Sequence, residues 1–156
     1  MLHSEKINRL RVLPHLLENA LYGLEDAQLD TPYRPLGWTI RQVVHHLADS
    51  HMNAYIRCKL TLTEENPTIR PYNQNAWAEL PDGRTAPIDH SLAILRALHA
   101  RWADALTAVT EADWKRPVFH PDNGPSFLEE LLDSYVAHGE IHVAQITGLR
   151  QRMNWI

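Results

Sequence analysis

The sequence predicts an all-α protein built as a bundle of four long helices, on three observations. Four stretches repeat apolar residues at three- and four-residue steps. Proline, glycine, asparagine and aspartate collect in the segments between them. No segment sustains the apolar-polar alternation of a half-buried strand. At 156 residues the chain can fill one core but not two independent ones, so 1–156 reads as a single domain.

The first helix is compatible with residues 4–12. Pro14 then either kinks it or opens a second helix as its first residue, and Leu16, Leu17, Ala20, Leu21 and Leu24 continue the stripe. Asp30 to Gly37, with two prolines and a closing glycine, is a loop. Thr39 and Gln42 form a capping box for a second helix running from Ile40 to about Leu62. Residues 64–85 form the longest irregular stretch, in which QNAWAEL makes at most a short helical turn. Carrying Arg70, Tyr72 and Trp77, this stretch is either a lid over a binding site or a packed connection. Asp89 caps a third helix with Leu92, Leu95, Leu98, Trp102 and Leu106 on its apolar side and His99 among them. Residues 114–125 read as turns, and Ser126 with Glu129 cap the last helix, which begins at Phe127.

A hydrophobic share of 44% with 22% charged residues describes a globular chain. The net charge of −4 and the lack of a Lys/Arg block argue against nucleic acid as a partner. The first residues lack a secretory pattern and no apolar run reaches membrane-spanning length, so the expected location is cytoplasmic. The lone Cys58 permits no internal disulfide and reads as a packed thiol.

Chemistry concentrates in the last helix. His138 and His142 are four residues apart, within about 40° of each other on one helix face. That face also carries Leu131, Tyr135, Gln145 and Leu149, so both imidazoles point inward. Such a pair can hold one divalent metal, or each ring can be a hydrogen-bonded core residue. The segment HGEIH is not a zincin helix, because Gly139 stands where the general base would follow the first histidine. Nor is it a zinc deaminase motif, which needs two further cysteines. On the second helix, periodicity nominates His51 as the buried histidine. His46 falls on another face with Gln42, Asp49, Asn53 and Arg57, polar but without Lys or Glu. That face is either ordinary wet surface or a polar cleft.

Taken together, residues 30–60 (DTPYRPLGWTIRQVVHHLADSHMNAYIRCKL), 68–77 (TIRPYNQNAW) and 134–146 (SYVAHGEIHVAQI) closely resemble the DinB/YfiT-like proteins of bacteria. The resemblance runs from about residue 13 onward. It implies a four-helix bundle in up-down-down-up order, with a long connection between helices 2 and 3, and a homodimer. It also implies one divalent metal ion, zinc or nickel, on three histidines: His46, directly before Leu-Ala, with His138 and His142. Asn53 and Arg57, beyond His46 on its helix, are then expected to contact a substrate or thiol, and Asp49 to orient an imidazole.

Three neutral imidazoles leave coordination positions open, as catalytic sites do. The expected activity is transfer of a low-molecular-weight, bacillithiol-like thiol cosubstrate to an electrophilic small molecule. The absence of a carboxylate base beside the ligands favours it. The alternatives are a hydrolase using metal-activated water and a non-catalytic, stress-associated metal-binding dimer.

Overall fold

The computed structural model describes residues 2–155. Four long helices, α1 (His3–Leu21), α3 (Ile40–Thr63), α6 (Asp89–Thr107) and α7 (Leu128–Met153), form the expected up-down-down-up bundle. Helix α1 packs on α6 and α7, and α3 packs on the same two from the other side. Short helices α2 (Asp26–Leu29), α4 (Gln74–Ala78) and α5 (Pro81–Arg84) punctuate the connections.

Pro14 neither ends α1 nor starts another helix, and lies inside one continuous element. Leu16, placed on the inward stripe from sequence, is 43% exposed; Ile7, Leu10, Leu13, Pro14, Leu17, Ala20 and Leu21 are the buried positions. Thr39 caps α3 as expected, its hydroxyl accepting from the Gln42 N–H at 3.1 Å. Asp89 is the first residue of α6 and not its cap. The last capping contact lies one residue later than expected: Glu130 accepts from the Phe127 N–H at 2.9 Å. Glu129 instead pairs with Lys115 and His3.

Residues 114–125 hold more than turns. Strands β1 (Pro117–His120) and β2 (Gly124–Phe127) pair antiparallel, Val118 opposite Ser126. Four residues per strand are too few for alternation to register in sequence. The Ile69 N–H donates to the Phe119 carbonyl at 2.8 Å, which ties the start of the long connection to this hairpin.

That connection, residues 64–88, is a packed cover on α3. The Gln42 amide donates to the Ala78 carbonyl at 2.9 Å, and Arg41 donates to Asp26, Asp30 and the Ala86 carbonyl. The His45 Nε2–H donates to the Ala86 carbonyl at 2.9 Å, so its Nδ1 accepts from the Ser91 hydroxyl at 2.7 Å. Burial therefore reaches beyond the apolar stripe: Gln42 on the polar face, and Arg41 and His45 beside it, have their polar atoms matched to protein groups instead of water, while His46 is buried against His138.

The apolar interior is split in two. One cluster holds Leu17, Ile40, Val44, Leu47, Leu95 and Ile146. The other holds Leu10, Cys58, Trp102, Leu106, Leu132 and Val136. His51, His99, His138 and His142 each fall on their helices between residues of the two clusters. The bundle therefore carries an imidazole layer across its middle.

Candidate metal centre

His46 from α3 and His138 and His142 from α7 converge in this layer. Their Nε2 atoms approach to 3.1 Å between His46 and His138 and 3.2 Å between His138 and His142. One ring nitrogen from each lies within 4.8 Å of the others. Nitrogens sharing a tetrahedral zinc ion at about 2.0–2.1 Å stand about 3.3 Å apart, so the donor set fits a small divalent cation.

Burial keeps these rings neutral, the form in which nitrogen can donate to a metal. Desolvation, then the neighbouring His142 and His138, pushes His46 down to about 3. Desolvation and His142 push His138 down to about 4. His142 is lowered by burial, against the opposing effect of its contact with Gln145. The Gln145 side-chain oxygen lies 2.8 Å from His142 Nδ1, so it accepts that N–H and leaves Nε2 with its lone pair toward the centre. The Trp38 ring packs against His46 with centroids 4.6 Å apart.

His51, nominated from periodicity, is fully buried, and it lies behind the trio: its Nε2 is 3.1 Å from His138 Nδ1. Asp49 does not play the orienting part expected of it. Its carboxyl bonds to none of the three rings among the described residues, and burial, then the charge of Asp82, raise it to about 6. The outer nitrogens of His142 and His138 are met by Gln145 and His51. Gln145 was legible only as a neighbour on the histidine face.

Two cavities meet at His138. One, about 350 Å³, is lined by Tyr33, Trp38, Gln74, His46, His138 and His142. The other, about 470 Å³, is lined by Arg57, Ile69, Val118, Leu131, Tyr135 and His138. Arg57 donates to the Tyr135 hydroxyl at 2.6 Å and the Arg70 carbonyl at 3.0 Å, both neutral groups, and makes no ion pair among the described residues. Asn53 does not join it on the wall: its amide donates to the Asp49 carbonyl one turn back on α3.

The DinB superfamily model matches residues 9–146. The chain is 53% identical over 150 residues to YfiT of Bacillus subtilis, described as a candidate metal-dependent hydrolase, covering 96% of this chain and 84% of that protein. A Bacillus mycoides protein of the same description is 50% identical over 149 residues, with 96% and 86% covered. The solved YfiT structure, described as having an unusual four-helix bundle topology, superposes with a TM-score of 0.97 at 51% identity, covering 99% of this chain and 89% of that one. A mycothiol-dependent maleylpyruvate isomerase shares the fold at 19% identity, TM-score 0.74, with 94% and 61% covered. No described helix is long and apolar enough to cross a membrane. With the family model spanning most of its length and half its residues identical to those of YfiT, the chain belongs to the DinB superfamily.

Proposed function

We propose that His46, His138 and His142 hold one divalent ion, zinc or nickel, and that the protein transfers a low-molecular-weight thiol to an electrophilic small molecule. The observation that carries this reading is the pair of cavities that share His138, one of them also lined by His46 and His142, which together give volume for two organic reactants. A divalent ion held there supplies the positive charge that favours ionisation of a thiol or water at its open face. No carboxylate is bonded to the three rings among the described residues, so the chain supplies no evident base for activating water beside them. In the transfer, a bond forms between the thiol sulfur and the electrophilic carbon. The leaving group departs with its electron pair, and the thiol proton passes to solvent.

Arg57 takes the anchoring role, and Asn53, which bonds back to its own helix and does not line the Arg57 cavity, has the lesser part through its remaining amide N–H and oxygen. A guanidinium whose partners are neutral favours a carboxylate-bearing reactant in the 470 Å³ cavity. Hydrolysis is the second reading, favoured by the description of the relatives as candidate metal-dependent hydrolases. The homodimer expected from the resemblance is part of the proposal, and its test is the mass in solution.

The test compares turnover of fluorogenic alkylating electrophiles, with bacillithiol or mycothiol added, against hydrolysis of esters and amides. Thiol-dependent turnover that falls with Arg57→Ala, chiefly through a roughly tenfold higher KM for the carboxylate-bearing reactant, is expected. Ester or amide hydrolysis independent of thiol overturns transfer in favour of the second reading. Bound metal without turnover in either assay leaves the non-catalytic dimer. His142→Ala should lose stoichiometric metal while keeping its helical circular dichroism, and full retention refutes the ligand set.

A further inference from the structure

The inward-facing nitrogen of His138 is set by a line of contacts that begins at Pro14. Proline has no N–H, so the Leu10 carbonyl four residues earlier cannot receive its usual helical bond from residue 14. His99 Nδ1 lies 2.6 Å from that oxygen. A carbonyl only accepts, so His99 carries its proton on Nδ1, and in the neutral ring Nε2 must accept. His51 Nδ1 stands 2.8 Å from His99 Nε2 and is therefore the donor, leaving His51 Nε2 as the acceptor. The only proton that can fill the next contact, 3.1 Å long, is on His138 Nδ1. His138 Nε2 then bears a lone pair, and it is the atom that faces His46 and His142.

The direction of the line is fixed at its origin. Reversing it would set a bare nitrogen against a carbonyl oxygen at 2.6 Å, lone pair to lone pair. Leu10, His51 and His99 have no solvent exposure, so water cannot supply an alternative partner. We propose that His99 and His51 are positioning residues, which hold His138 in its Nδ1–H tautomer from the carbonyl freed by Pro14 and so present its Nε2 lone pair to the three-histidine centre. The inference rests on the metal reading for its purpose, and on the hydrogen-bond geometry alone for its content.

A histidine free in water favours the Nε2–H tautomer, so the line works against the ring's own preference, and the departure is measurable. Long-range ¹H–¹⁵N correlation spectra of the metal-free protein, labelled on histidine, should show His99, His51 and His138 all as Nδ1–H at neutral pH. This measurement needs no variant. An Nε2–H assignment for His138 or His51 overturns the proposal, whatever the protein does with metal.

The variants read the consequence. His51→Leu removes both contacts of the middle ring. It should shift His138 toward Nε2–H and weaken Zn²⁺ affinity, measured against a chromophoric chelator, by about 10- to 100-fold. His51→Gln can offer its oxygen to His138 and its amide N–H to His99, so it should restore most of that affinity. If His51→Leu folds and binds Zn²⁺ as tightly as the wild type, the positioning role is refuted. If the tautomers are as stated but the wild type binds no Zn²⁺ or Ni²⁺, the metal reading fails and the tautomer assignment stands.

Discussion

Replacing Gly139 with alanine tests how closely α1 and α7 approach beside the centre. A Cβ on Gly139 would lie 2.1 Å from Leu13 Cδ2, 3.0 Å from Cδ1 and 3.1 Å from Cγ, where non-bonded carbons prefer about 3.5–4.0 Å. Leu13 is 3% exposed, so its methyls have little room to turn away. Overpacking of this kind costs about 1–3 kcal/mol, while alanine gains about 1 kcal/mol over glycine inside a helix. The net loss is therefore about 0–2 kcal/mol. A sharper quantity is the coupling. In a Leu13→Ala background, itself costing about 2–5 kcal/mol, the obstructing methyls are gone, and Gly139→Ala should become stabilising by about 1 kcal/mol. Urea denaturation of the four proteins gives the cycle, with an expected coupling of about 1–3 kcal/mol. If Gly139→Ala stabilises equally in both backgrounds, the close approach is wrong.

Two further outcomes follow from burial. The metal-free protein should lose stability as pH falls below about 6.5. Between 6.5 and the depressed values of about 3 for His46 and about 4 for His138, the unfolded chain binds protons that the folded chain does not. Each ring then subtracts up to about 1.4 kcal/mol per pH unit. Asp49, raised to about 6, acts in the opposite sense, since there the folded chain takes the proton first. Denaturant melts from pH 7.5 to 5 read the net fall, and stability that rises on acidification refutes the neutral layer. Cys58, 1% exposed and pushed up to about 12 by burial, should resist thiol reagents until the protein unfolds. Rapid labelling of native protein would show the thiol reachable.

The four long helices were legible because each carries enough turns for its period to stand out, and Thr39 with Gln42 marked one start to the residue. The inward pair on α7 was legible for the same reason. His46 was not, because what buries its face comes from far along the chain: the Ala78 carbonyl on Gln42 one turn back, and the His138 and His142 rings of α7. Periodicity counts apolar neighbours, and this face meets a carbonyl and imidazoles. Only the resemblance pointed to His46. The hairpin was missed because eight strand residues give no usable period, even with Asn123-Gly124 at its turn. Gly139 shows a different gap. Its position could exclude a zincin base, yet nothing local announced that Leu13, over a hundred residues earlier, needs the space.

The pairing of α1 with α6 and α7 has a consequence for how the molecule comes together. A helix made early must wait for two partners that follow some seventy and more residues behind it, with α3 and the whole connection synthesised in between. Contacts of such long sequence separation raise the contact order, so folding should be slower than in an up-down-up-down bundle of equal length. Until α7 is present, the apolar stripe of α1 and the inner face of α3 have only α6 to cover them. The imidazole layer, drawing on residues 46 to 142, assembles with that final docking and not before.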